Sequence, residues 1–135
     1  MLAVLVLAGC VVFATGFGTT RYANIDGQLQ CDNVYNYADT IVELWERDTV
    51  DSDDLLRKIK PNKDGTFKIN GEETEVGKVE FYLKITHRCL LKPSCATIVQ
   101  EFNVNATKDL NEVQKFKMSL VGQEQLHKVN RTCLI

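Results

Sequence analysis

The sequence is short of histidine, serine, proline and tryptophan, carries no basic excess, and has no apolar run long enough to span a bilayer. Each shortage excludes a class of function. His87 and His127 are the only histidines, and no Ser, Cys or His grouping supplies a nucleophile beside its base, so the chain reads as a non-enzyme. Sixteen basic residues against eighteen acidic ones leave a net charge of -2, where a nucleic-acid binder is usually basic. The longest apolar stretch, about a dozen residues at the N-terminus, falls short of a hydrocarbon core about 30 Å thick. No long window carries the 3.6-residue apolar stripe of a helical bundle. With no internal repeat and no low-complexity linker, the chain has material for one core and no more. Aromatic residues make up 8% and are claimed by that core, so a calyx-like ligand pocket is not expected.

What is present begins with Met1, the apolar run Leu2 to Ala8, Gly9-Cys10-Val11-Val12-Phe13, and then the small residues Ala14-Thr15-Gly16. This reads as a signal peptide over 1–16, without the usual basic residue before its apolar run, leaving a secreted domain over 17–135. Leu7-Ala8-Gly9-Cys10 also spells a bacterial lipobox, but the run is short and uncharged for a lipoprotein, and the signal-peptide reading is preferred. Beyond it lie Cys31, Cys89, Cys95 and Cys133. An even count in a short extracellular chain reads as two disulfides, and four cysteines allow three pairings. Cys89 with Cys95 and Cys31 with Cys133 is the arrangement favoured. Zinc would need tighter clustering than His87-Arg88-Cys89 offers. Asn105-Ala106-Thr107 and Asn130-Arg131-Thr132 are glycosylation sequons.

Apolar and polar residues alternate at period two in several windows, which is the signature of half-buried strands. Ile25, Gly27, Leu29 and Cys31 share one face of a first strand, and Val42 and Leu44 face inward from a second. Phe81, Leu83 and Ile85 line a fifth, Ile98, Phe102 and Val104 its neighbour, and Phe116, Met118 and Leu120 a last. Short strands are expected at 55–59 and 66–69, the latter after Lys63-Asp64-Gly65, a turn whose glycine supplies a positive φ. Seven or so short strands with turn signals between them predict an all-β sandwich or open barrel with two disulfides.

The pieces Ile25-Asp26-Gly27-Gln28-Leu29-Gln30-Cys31, Val42-Glu43-Leu44-Trp45, Asp53-Asp54-Leu55-Leu56, Asp64-Gly65-Thr66-Phe67, Leu83 to Cys89 and Lys92-Pro93-Ser94-Cys95 follow in an order and spacing that resemble the nematode transthyretin-like family. Two positions depart from that pattern: Arg88, where the family usually has an acidic residue, and Ala96-Thr97, where it has a basic pair. The resemblance implies a secreted transthyretin-like (Ig-like or C2-like) sandwich of seven to eight strands. It also resembles the family member that binds phosphatidylserine on apoptotic cells and bridges them to a phagocyte engulfment receptor, which implies the same role as an expectation. The C-terminal Tyr-Arg-Gly-Ser of the related 5-hydroxyisourate hydrolases is absent, since this chain ends Thr132-Cys133-Leu134-Ile135.

Independently of the resemblance, a chain of this charge needs a local device to hold an anionic lipid. No cofactor is required, but Asp48, Asp51, Asp53 and Asp54 crowd four carboxylates into one loop, a candidate Ca²⁺ site, although a solvated turn is the commoner use of such a loop. Arg57, Lys58, Lys60 and Lys63 follow at once as candidate lipid-phosphate contacts, or as a strand edge guarded by charge. Together they suggest one face, acidic and then basic. Leu126, Val129, Leu134 and Ile135 keep the tail apolar and make it the candidate receptor contact, unless it packs back on the sandwich. The expected partners are thus a phosphatidylserine-exposing membrane, a phagocyte cell-surface receptor and a second copy forming a homodimer, with no nucleic acid. The alternative is an extracellular carrier of a small hydrophobic ligand or another secreted interaction protein.

Overall fold

A computed structural model describes residues 18–31, 35–92, 94–120 and 131–133. Seven strands form: β1 (Thr19–Gln30), β2 (Ile41–Arg47), β3 (Asp54–Ile59), β4 (Thr66–Glu75), β5 (Glu80–His87), β6 (Ile98–Val104) and β7 (Gln114–Ser119). They build two sheets, β4-β1-β7 and β3-β2-β5-β6, antiparallel except for the β1–β7 pair. Two 3-10 turns, Tyr37–Asp39 and Arg131–Cys133, complete the described elements.

The alternation dictates this arrangement. Ile25, Leu29, Val42, Leu44, Phe67, Ile69, Phe81, Leu83, Ile85 and Met118 are buried, each on the inward face of its strand, so the two sheets enclose one core. Burying a side chain of this size is worth about 1.5–3 kcal/mol, which is what selects the register over its one-residue slip. The Phe67 ring lies against Gly27, where a Cβ would come within 2.2 Å of it, so that strand position admits only glycine. Gly65 has φ 86°, as its turn requires.

β1 begins at Thr19, six residues before its apolar alternation, and β4 runs on to Glu75 through a polar stretch. These two segments pair with each other, from Thr19 opposite Glu75 to Gln28 opposite Thr66. Ladder hydrogen bonds, not hydrophobicity, extend them.

The disulfides join Cys31 to Cys89 and Cys95 to Cys133, not Cys89 to Cys95 and Cys31 to Cys133. Cys31 leaves β1 and Cys89 leaves β5 at the same end of facing sheets, with Cα atoms 5.9 Å apart, so this bond clamps one sheet to the other. The β5–β6 connection then turns through Leu90, at φ 59°, and carries Cys95 to within 5.8 Å of the Cys133 Cα. The Arg88 guanidinium donates to the Cys95 carbonyl, and the Lys92 amide donates to the Cys133 carbonyl at 2.8 Å. Nearness in sequence misled because the turn sends Cys89 inward and Cys95 away from it.

Candidate functional site

Strand directions give the sandwich two ends. At the cystine end lie both disulfides, the β1–β2 and β3–β4 connections and the end of β5. At the other, the loop end, lie the β2–β3 connection (48–53), the β4–β5 connection (76–79), the start of β1 and the end of β6.

Near the loop end the inward positions change character. On β2 the series Val42, Leu44 continues to Glu46, and on β4 the series Phe67, Ile69, Gly71 continues to Glu73 and Glu75. Glu46 is 0% exposed, and among the described residues neither of its carboxylate oxygens has a hydrogen-bond donor. Asp54 stands opposite Glu46 in the β2–β3 ladder, Asp48 lies just past β2, and Glu75 comes from the other sheet. One oxygen from each of Glu46, Asp48, Asp54 and Glu75 lies within 4.8 Å of the other three.

At such a separation two full negative charges repel by roughly 3–4 kcal/mol at an effective dielectric near 20, so a charge on the buried Glu46 is costly beside these neighbours. The Glu46 carboxyl is accordingly pushed up to about 8, first by burial, then by Glu75 and the charges of Glu73 and Asp48. Burial also raises Glu73. The loop is preorganised: Oδ1 of Asp48 accepts the Val50 and Asp51 amides at 2.9 and 3.2 Å.

Of the four aspartates expected to act together, Asp48 and Asp54 join this cluster. Asp51 is exposed in the turn, and Asp53 is used otherwise, accepting the Tyr82 hydroxyl at 2.7 Å and the Asp48 amide at 3.1 Å. The Tyr82 hydroxyl bond holds Asp53 below the usual carboxylate range. Glu46 and Glu75 were missed. Period two already put Glu46 on the face of Val42 and Leu44, whereas nothing in the local sequence marks Glu75.

The expected basic group is dispersed. Arg57 borders a shallow groove with Tyr22, Asn24 and Glu72. Lys58 pairs with Glu43 in the ladder and extends a row through Lys84 to Glu101 across the sheet. Lys60 and Lys63 are exposed in the β3–β4 connection at the cystine end, a strand of about 20 Å away from the acidic loop. Acidic loop and basic run therefore do not share a face.

A different cationic set, unmarked by any run in the sequence, gathers at the loop end. Arg21, Arg47 and Lys78, from β1, β2 and the β4–β5 connection, line a groove of about 720 Å³ with Asn103, Asn105, Phe81 and one acid, Glu80, which pairs with Lys78 at 3.1 Å and leaves the two arginines in excess. Arg47 lies 4.3 Å from the Tyr82 ring centroid, and Tyr82 stacks on Trp45. Val50 and Val76, in the two adjacent loops, are 89% and 75% exposed.

His87 is a structural residue. Its Nδ1 accepts the Cys89 amide at 3.1 Å, leaving Nε2 to donate to the Gln100 side-chain oxygen at 2.5 Å, and burial depresses its pKa. With Cys89 in a disulfide, the zinc pair does not exist. Asn105 is exposed beside β6. The signal segment 1–16, His127, Asn130 and the tail residues Leu126, Val129, Leu134 and Ile135 lie outside the described residues. No described helix is long and apolar enough to cross a membrane.

Two facing sheets of these strands, clamped to each other by the Cys31–Cys89 disulfide, define a β-sandwich. Residues 26–105 match the TTR-52 transthyretin-like family. The chain belongs to that family. It is 36% identical over 114 residues to transthyretin-like protein 16 of Caenorhabditis elegans, covering 81% of this chain and 84% of that one. It is 32% identical over 110 residues to transthyretin-like protein 2 of the same organism, covering 77% and 72%. With transthyretin-like protein 5, also of Caenorhabditis elegans, it shares 37% identity over 73 residues, 53% of this chain and 52% of that one. Among solved structures, a 9R-lipoxygenase from Cyanothece matches with a TM-score of 0.33 and 15% identity, over 73% of this chain and 16% of that chain. Family membership and two disulfides suggest a secreted protein of a generally non-enzymatic, binding kind.

Proposed function

We propose that this chain is an extracellular bridging module that recognises phosphatidylserine on apoptotic-cell membranes with its loop end and meets a phagocyte receptor with its other end. The observation that carries the reading is the groove of Arg21, Arg47 and Lys78, which opens beside the exposed tip of Val76. Lipid phosphate attracts such a cationic group at about 1 kcal/mol per charge near a membrane surface, and an aliphatic tip gains from leaving water. A net charge of -2 gives no long-range attraction, so recognition rests on this local set.

Bridging needs two separated surfaces. Cys133, the last described residue, is bonded to Cys95 at the cystine end, away from the groove, and that second end is the one assigned to the receptor. The edge strands of both sheets offer main-chain pairing to a second copy, and a homodimer would double the valency toward the membrane.

Vesicles of phosphatidylcholine with and without phosphatidylserine, sedimented with the purified protein in calcium and in EDTA, test the membrane half. Selective pelleting that falls at least tenfold in Arg21→Ala with Lys78→Ala is expected, and equal pelleting of both vesicle types overturns the reading. For the receptor half, Leu134→Asp with Ile135→Asp abolishes attachment of decorated vesicles to phagocytes while leaving pelleting intact. Attachment unchanged by that variant counts against the tail.

A further inference from the structure

We infer that Glu46, Asp48, Asp54 and Glu75 form a divalent-cation site of the calcium class, which ties the two sheets together at the loop end. Four aspartate and glutamate oxygens, each within 4.8 Å of the rest, match a single ion. Ligands about 2.3–2.6 Å from one Ca²⁺ are at most about 4.6–5.2 Å apart, whereas Mg²⁺, with ligands at about 2.0–2.1 Å, requires a tighter set. The donors are all hard oxygens, and no described His or Cys belongs to the group, so the chemistry disfavours zinc.

Proximity of acids alone would be weak ground, since most acidic clusters hold nothing. The independent observation is Glu46, fully buried with both carboxylate oxygens unpartnered. A buried carboxylate without a donor is costly, and this one faces its own kind rather than a base. Arg21, opposite Glu73 in the β1–β4 ladder, donates to the Thr20 carbonyl at 3.0 Å and lines the groove instead. A cation removes the repulsion, satisfies Glu46, and fixes the Asp48 turn that carries Val50. Ligands from β2, β3 and β4 make it the loop-end counterpart of the Cys31–Cys89 clamp.

The site is independent of lipid, so its test contains none. The full mature chain, stripped with EDTA and dialysed, is titrated calorimetrically with CaCl₂ and with MgCl₂, and its thermal unfolding is followed in each. One calcium per chain is expected, with a Kd of roughly 10⁻⁴ to 10⁻³ M as in other extracellular modules, and the unfolding midpoint rises with calcium more than with magnesium. Glu46→Gln keeps the shape, so it folds, and loses the calcium response. Glu75→Gln weakens binding at least tenfold. A wild-type chain with no heat of binding and no midpoint shift overturns the inference, leaving a proton shared between Glu46 and Glu75. A calcium response retained in Glu46→Gln overturns it as well. Loss of this site with vesicle binding intact, or the reverse, separates its failure from that of the membrane reading.

Discussion

The two ends of the sandwich solve the same problem in opposite ways. At the cystine end every buried polar group described has its partner within the chain. The Tyr37 hydroxyl donates to the Leu29 carbonyl and accepts the Cys31 amide, and the Tyr35 hydroxyl bonds Thr40 and accepts the Arg88 amide. His87 uses both ring nitrogens. At the loop end Glu46 has none, the inward positions are acidic, and the neighbouring loops display valines to solvent. A closed, covalently clamped end suits a scaffold. An end with unspent charge and apolar tips suits a surface that meets something else.

The largest effect tests the clamp. Cys31→Ser with Cys89→Ser opens a bond spanning 58 residues, and the chain-entropy relation puts its loss at about 4 kcal/mol in urea unfolding. Should the double variant unfold at wild-type urea, the cystine end is not what holds the sheets together.

Next in size is the opposed pH response of the ends. The folded Glu46 carboxyl sits at about 8 against 4.5 unfolded, so its share of stability is complete below about pH 4.5 and is lost as pH rises toward 8. In EDTA the slope is bounded by about 1.4 kcal/mol per pH unit, and Glu46→Gln flattens it. His87 has the opposite sign. Its folded pKa lies below 6.5, so stability is complete above that pH and is lost as acid charges the buried ring. A Glu46→Gln chain whose stability changes between pH 5.5 and pH 8 in EDTA by the same amount as the wild type would erase this contrast.

A smaller loss is expected from Gln100→Leu, which leaves the His87 Nε2 proton without an acceptor, costing about 1–3 kcal/mol by denaturant midpoint. The least effect belongs to the outer face, where Arg47 and Glu101 meet at 3.7 Å with both side chains about half exposed. Glu101→Ala changes stability by less than about 1 kcal/mol, and a larger loss would mean that the charged rows of this sheet matter to the fold.

The seven strands were legible because alternation is a local property, as Val42 and Leu44 or Phe81, Leu83 and Ile85 illustrate. The same pattern puts Glu46 on the inward face, but a single acid closing an apolar alternation is a weaker local signal than the run of aspartates that follows it. Arg57, Lys58, Lys60 and Lys63 formed a group only along the chain. β3 spreads them over two faces and a remote turn, while Arg21, Arg47 and Lys78, far apart in sequence, converge.

Composition and periodicity alone therefore determined an all-β, two-disulfide sandwich with a defined core, because strand geometry repeats every two residues and needs no knowledge of distant neighbours. Tertiary structure decided which cysteines bond, which carboxylates face one another and which cations share a groove. Those are meetings between strands from different sheets, and their identity depends on sheet order and on the end at which each strand stops.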